Sequence, residues 1–239
     1  MSKISVIIIT LNEEDYLPNL LDSIDKQEYE DYEVIVSDAK STDNTQEIVR
    51  ERGVRLVECE RIGPAHNRNT GAKAADGDIY LFLDADTKLN GKDVLKSVEE
   101  SLESPDKVVG TSTGIVFGDT MRGKILMELS AVYMKLFNWT EKIKMAPGSF
   151  QFIEKDIFEE IGGYNEELPY YEDEDMVERA LEYGGLETLK RKFYISSRRV
   201  DEKGVVRTLI DYIPPQIYRM IGKNEKMKEK YSFETSGSN

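Results

Sequence analysis

Two aspartates one residue apart, Asp84 and Asp86, follow the apolar run Ile79-Tyr80-Leu81-Phe82-Leu83. In extended chain, side chains at i and i+2 point the same way. The two carboxylates can then share a hard divalent cation, Mg²⁺ or Mn²⁺, and leave coordination positions open for substrate phosphates. An Asp-rich turn is the competing reading, because Asp-Ala-Asp-Thr before Lys-Leu-Asn-Gly is good turn chemistry. Two more apolar runs also lead into polar groups: Val6-Ile7-Ile8-Ile9 into Thr10-Leu11-Asn12-Glu13, and Val34-Ile35-Val36 into Ser37-Asp38. A carboxylate after one strand is accounted for as a helix cap or a turn. Carboxylates or carboxamides after all three strands are better explained by a shared site, since ligands of open α/β sheets bind beyond the carboxyl ends of the strands.

A second acidic group, Glu172-Asp173-Glu174-Asp175, starts a helical pattern after Tyr170-Tyr171. Acids in a first turn satisfy free N–H groups and the helix dipole, which accounts for most such runs. A general base among them must in addition face a cleft within reach of an acceptor hydroxyl, and spacing does not say which of the four does so. Arg61, Arg68 and the pair Arg198-Arg199 read as loop or element-end residues whose guanidinium forks suit phosphate oxygens. The single His66 rules out a histidine zinc site and reads as a packed bystander; the single Cys59 rules out an intrachain disulfide.

The elements that must position these groups follow from hydrophobic period. The three apolar runs do not alternate, as expected of parallel strands buried on both faces. Leu17, Leu20, Leu21 and Ile24 keep the i, i+3, i+4, i+7 spacing of one helix face. A second helix is expected from Thr42 or Asp43 to a stop at Gly53, a strand over 54–57 and a small-residue helix over 65–75. The second half predicts a helix marked by Val94, Val98 and Leu102, strands over 108–117 and 148–153, and a helix over 155–161. A Gly162-Gly163 turn follows, then a helix over 173–183, a strand closing at Ile195, and helical stretches over 125–137 and 205–213. Alternating strands and helices mean a doubly wound α/β sheet.

With 239 residues, 32 Lys+Arg and 46 Asp+Glu, the formal charge is −14. That disfavours nucleic acid as a partner, because a phosphate backbone needs a basic footprint. No apolar run approaches the roughly 20 residues of a membrane span, and no secretory signal pattern opens the chain.

Taken in order, the motifs resemble the family 2 glycosyltransferases of the GT-A fold. The segments carrying the likeness are residues 5–14, Asp38 with Ser41-Thr42-Asp43-Asn44-Thr45, and Arg68-Asn69-Thr70-Gly71 followed by Gly77-Asp78 and Phe82-Leu83-Asp84-Ala85-Asp86. Gly162-Gly163-Tyr164-Asn165-Glu166 and the 172–175 acids complete it, so that it runs from about 4 to 185. The resemblance implies a Rossmann-like, mixed but mostly parallel sheet flanked by helices. It implies one domain over 1–222, with a nucleotide-sugar half (about 1–104), an acceptor half (about 105–222) and a polar tail over 223–239.

It also implies roles. Thr10, Asn12, Glu13 and Asp38 line the base and ribose pocket, with Asp38 accepting from a ring nitrogen, and Arg68 lies near the nucleotide. Asp84 contacts ribose or metal-bound water, Asp86 holds Mg²⁺ or Mn²⁺ on the diphosphate, and Asp173 is the general base. The implied reaction moves one sugar, with inversion, from a UDP- or GDP-linked donor to a glycan or lipid-linked acceptor, in cell-envelope polysaccharide synthesis. Ala39 replaces a second acid common in relatives, and no histidine supplies a third metal ligand, so phosphates, water or Arg198 and Arg199 must complete the charge balance. A Gln-x-x-Arg-Trp pattern is absent, which disfavours a polymerising synthase. A cytoplasmic protein is expected. Stretches 125–139 and 205–221 pack on the sheet in the first reading and touch a membrane interface in the second. A sugar-phosphate nucleotidyltransferase and a non-catalytic nucleotide-sugar or glycan-binding module are the alternatives. The residues leave the sugar, the acceptor and the oligomeric state open.

Overall fold

A computed structural model describes residues 1–60, 63–117, 120–121, 125, 148–168 and 171–204. The helical stretches expected over 125–137 and 205–213, Trp139, the possible membrane-contact segments, Arg61 and the 223–239 tail lie outside these residues, apart from residue 125 itself. Among the described residues, eight strands form one sheet in the order β3-β2-β1-β4-β7-β6-β8-β5. The strands are β1 (Ile4–Thr10), β2 (Tyr32–Asp38), β3 (Arg55–Glu58), β4 (Ile79–Asp84), β5 (Thr87–Leu89), β6 (Lys107–Phe117), β7 (Phe150–Glu154) and β8 (Gly185–Ile195). β3, β2, β1 and β4 are parallel neighbours, β7 runs antiparallel between β4 and β6, and β5 is antiparallel to β8. The architecture is a mixed, mostly parallel sheet flanked by helices, as the resemblance implied.

Unalternating runs in β1 and β4 are buried on both sides, as their composition requires. Ile4, Val6 and Ile8 join one core cluster with Leu17, Leu20, Leu21 and Ile24 of α1 (Leu17–Ile24) and Val94, Leu95 and Val98 of α4 (Val94–Ser101). On the other side Ile7, Tyr80 and Phe82 join Ala65 and Ala72 of α3 (Pro64–Lys73), Phe158 of α5 (Lys155–Glu160), and Met176 and Val177 of α6 (Glu172–Ala180). Each fully buried aliphatic side chain contributes about 1.5–3 kcal/mol. Gly71 sets how closely α3 approaches the sheet, since a Cβ there would lie 2.5 Å from Ile7 Cγ2.

Three local departures from expectation have physical causes. α2 (Thr45–Glu51) begins two residues later than Asp43, because the Asp43 carboxylate accepts bonds from Thr45 N–H and Thr45 Oγ1 and leaves Asn44 at the cap position. Its stop at Gly53 is as expected, with φ +65° in the left-handed region. β5, read from sequence as turn, is made a strand by pairing with β8, Thr87 opposite Ile195 and Leu89 opposite Phe193. A short helix, α7 (Arg198–Lys203), for which the sequence offered only Arg198-Arg199 as loop or element-end residues, follows β8; Ser197 Oγ donates to Asp201 Oδ2 across its start.

Candidate active site

β1, β2 and β4 are parallel and in register, so Thr10 lies opposite Asp38 and Ile9 opposite Asp84. The predicted polar groups therefore share one edge. At the β1/β2 end the side chains bond to one another. Thr10, 2% exposed, donates to Asp38 Oδ1 at 2.8 Å, and Asp38, fully buried, accepts also from Ser41 N–H at 2.9 Å, Ser41 Oγ and Gln46 Nε2 at 2.7 Å. Asn12 takes φ +56°, tolerable for Asn; its Oδ1 accepts from Thr42 N–H at 2.8 Å, and its N–H donates to Ser41 Oγ at 2.8 Å. Glu13 N–H donates to Thr45 Oγ1 and Glu14 N–H to Asp43. Burial pushes the Asp43 carboxyl up, but the bonds from Thr45 and Glu14 outweigh it and hold it below the usual range.

Above this loop sits Arg198, at the start of α7. It donates to Glu13 Oε1 at 2.8 Å and lies over the Tyr16 ring at 4.8 Å. Burial opposes its charge, yet the Glu13 bond and the nearby Asp86 raise its pKa above the ordinary value. Ser196 N–H donates to Asp86 O, so the β8–α7 junction is fastened to the β4–β5 turn. Arg198 thus joins the predicted site residues. The side chain of Arg199 lies outside the described residues.

Asp84 ends β4, and Ala85-Asp86 form the turn into β5 rather than extended chain. The turn reading was therefore correct for the backbone, and both acids still stand at the ligand edge, partly exposed. Two carboxylates without a third protein ligand suit a hard cation that keeps water and phosphate in its shell. Among the described residues no three His, Cys, Asp or Glu side chains converge on one point to hold a metal.

Arg68 departs from the loop position expected of it: it lies within α3 and is 3% exposed. Its Nη1 donates to Glu172 Oε1 at 2.9 Å, its Nη2 to Asp84 Oδ1 at 3.0 Å and Gly148 O at 3.4 Å, and the guanidinium sits 5.3 Å from the Tyr164 ring centroid. Burial opposes its charge, but Asp84 first, then Tyr164 and Glu172, raise its pKa well above the ordinary value.

The four acids of α6 now separate. Glu172 is buried against Arg68, Glu174 is 5% exposed, and Asp175 pairs with Arg179 at 2.7 Å. Asp173 stays partly exposed; its Oδ2 accepts Gly148 N–H at 2.8 Å and its Oδ1 accepts Glu174 N–H at 3.0 Å. Burial raises the Asp173 carboxyl, with Arg68 opposing. Burial and the charge of Asp173 push Glu172 up to about 7.

Sequence reasoning missed Gly148. A Cβ there would meet Asp173 Oδ2 at 2.8 Å and Arg68 Nη2 at 2.9 Å, so only glycine fits between the Asp173 carboxylate and the Arg68 guanidinium. It also left Asn69 without a role. Asn69 exchanges bonds with the Tyr164 backbone at 2.8 and 2.9 Å and donates to Glu166, which also contacts His66, so α3 is laced to the turn after α5. The Arg-Asn-x-Gly pattern was the available signal for Asn69; nothing local marked Gly148.

A sequence model of glycosyl transferase family 2 matches residues 5–162. The chain belongs to that family. Over 104 residues this family 2 chain is 39% identical to the poly(ribitol-phosphate) beta-N-acetylglucosaminyltransferase TarS of Staphylococcus aureus, covering 40% of this chain and 18% of TarS. Over 96 residues it is 35% identical to the Campylobacter jejuni GalNAc(5)-diNAcBac-PP-undecaprenol beta-1,3-glucosyltransferase, covering 37% of this chain and 31% of that protein. The chain thus spans less than a third of these curated relatives. Among solved structures, residues 1–349 of S. aureus TarS with UDP-GlcNAc superpose with TM-score 0.63 at 25% identity, over 81% of this chain and 58% of that one. The mannosyltransferase PcManGT of Pyrobaculum calidifontis, solved with GDP-Man and Mn²⁺, superposes with TM-score 0.64 at 22% identity, over 95% and 70%, which shows the shared fold.

Proposed function

We propose that this family 2 chain transfers one sugar from a UDP- or GDP-linked donor to a hydroxyl of a glycan or lipid-linked acceptor, with inversion and with Asp173 as general base. One observation carries the reading. Of the four acids opening α6, only Asp173 combines partial exposure with a carboxylate pinned by backbone N–H groups rather than by an arginine. The acceptor oxygen attacks the anomeric carbon as its proton passes to Asp173, and the bond from that carbon to the β-phosphate oxygen breaks, its electron pair leaving with the nucleoside diphosphate. The names of the two relatives specify β products, which a single displacement gives from an α-linked donor.

The pocket made by Thr10, Asn12, Glu13 and Asp38 is assigned to base and ribose, and Arg198 to the diphosphate, for which it must exchange Glu13. Asp84 and Asp86 fit Mg²⁺ or Mn²⁺, which when bound supplies positive charge for the departing diphosphate. The acceptor classes follow the relatives' names, one a poly(ribitol-phosphate) enzyme and one acting on a pyrophosphate-linked undecaprenol. No helix among the described residues is long and apolar enough to cross a membrane. A cytoplasmic protein, peripheral at the membrane where its acceptor is lipid-linked, is the reading we adopt. Calorimetry of UDP and GDP with and without Mn²⁺ tests it: affinity indifferent to metal and to Asp86→Ala removes the metal assignment, and no binding of either nucleotide removes the donor assignment.

A further inference from the structure

Glu172 and Asp173 are neighbours in sequence with opposite surroundings. Glu172 Oε1 holds Arg68 Nη1; Arg68 Nη2 reaches the carbonyl of Gly148; the N–H of Gly148 donates to Asp173 Oδ2; and the peptide bond between Asp173 and Glu172 closes the ring. Gly148 is gripped on both sides, and its lack of a side chain is what lets the ring close. A second arm supports the first. Tyr164, under the guanidinium, donates to Gln151 Oε1 at 2.8 Å, and Gln151 Nε2 donates to the Asp173 carbonyl at 3.1 Å.

We propose that Arg68 and Glu172 are a positioning pair, a buried clamp that fixes the Asp173 carboxylate in its proton-accepting orientation while neither touches donor or acceptor. The inference rests on the reading of Asp173 as base. Three features support it. Arg68 and Glu172 are 3% and 8% exposed, too deep for substrate contact. The Arg68 Nε–H is buried with no partner among the described residues, so the guanidinium is held from its two Nη ends, Nη1 on Glu172 and Nη2 on Asp84 and the Gly148 carbonyl that adjoins Asp173. Finally, among the described residues the groups facing Asp173 are Arg68 from α3, Asp84 from β4, the Gly148 N–H, Tyr164 from the turn after α5, and Glu172 with the Glu174 N–H from its own helix, and of these only Arg68 is a cation.

Positioning needs an acceptor at 172, whereas catalysis needs a charge at 173. That difference is the test. With release of UDP from UDP-GlcNAc and of GDP from GDP-mannose as probes, Glu172→Gln keeps an acceptor for Nη1 and retains turnover within about threefold. Glu172→Leu releases the clamp and lowers kcat at least about tenfold with little change in donor KM. Asp173→Asn, equally isosteric, loses about 10²–10⁴ in kcat. Aspartate labelled with ¹³C at Cγ reads the same pair without any donor: Arg68→Gln raises the Asp173 titration midpoint by about one pH unit, whereas Arg68→Lys, which keeps the charge but loses the fork, raises it less. Glu172→Gln as inactive as Glu172→Leu, or an Asp173 midpoint indifferent to Arg68→Gln, overturns the pair while leaving the base reading intact. Turnover retained in Asp173→Asn overturns the base reading and the pair's purpose with it.

Discussion

Where β1 and β2 end, Thr10, Asn12, Asp38, Ser41, Asp43 and Thr45 bond across about 30 positions of chain, with hydroxyls and backbone N–H groups as donors and, among the described residues, no buried cation. Where β4 ends, one buried guanidinium joins Asp84, Gly148 and Glu172 from segments up to 104 positions apart. The first network holds the Asp43 carboxyl below its usual range and closes a loop into a fixed floor. The second crowds carboxylates around one cation, and burial raises the Glu172 carboxyl to about 7 and the Asp173 carboxyl above its usual range. Binding a ligand of constant charge asks for the first design; moving a proton asks for the second.

The comparison breaks most decisively at Asp173. With Asp173 as the proposed base, Asp173→Asn keeps the size of the side chain and removes its charge, and kcat is expected to fall by about 10²–10⁴, with UDP or GDP affinity by calorimetry unchanged. An equal loss of nucleotide affinity would mean that the two regions are not separate devices.

Gly148→Ala comes next. Its methyl would have to displace either the carboxylate or the guanidinium, an overpacking cost of about 1–3 kcal/mol, read as a lowered urea midpoint together with lost turnover. The parallel change at Gly53, in open space but at φ +65°, costs about 1 kcal/mol and leaves catalysis alone.

How much of this was legible in the sequence differs between the regions for the same reason. β1, β2 and β4, the Thr10–Glu13 and Asp38–Thr45 segments and the Asp84/Asp86 pair lie in contiguous runs whose local pattern is their structure. Arg68 was visible as a residue but not as a buried bridge, because its partners at 84, 148 and 172 meet only through sheet order. β5 illustrates the same limit: three residues with turn composition become a strand only because β8 arrives beside them. The acid that stays open in α6 was likewise decided by non-local partners, Arg68 for Glu172, and by the local Arg179 for Asp175, whose i, i+4 spacing was a usable signal.

A pH series sharpens the contrast further. Glu172 has its folded pKa raised to about 7 by burial and by Asp173. Its contribution to stability is therefore full at low pH, below the unfolded carboxylate range, and is lost as pH rises toward about 7. Urea midpoints of the wild type should fall over that window, and Glu172→Gln should flatten the fall. An unchanged slope would show that Arg68 neutralises Glu172 fully.

An effect on stability alone is expected on the other side. Thr45 is fully buried, donating its hydroxyl to Asp43 Oδ1 at 2.6 Å and accepting from Glu13 N–H at 2.8 Å. Thr45→Val keeps the volume and strands both partners, at about 1–2 kcal/mol. Part of that cost depends on Asp43, whose folded pKa is depressed, so its contribution is present above the unfolded carboxylate range and is lost as pH falls through the depressed value. The difference between wild type and Thr45→Val should accordingly shrink in acid, opposite in direction to the Glu172 series. A difference that instead grew as pH fell would place Asp43 among the crowded, protonation-poised carboxylates and remove the distinction between the two strand ends.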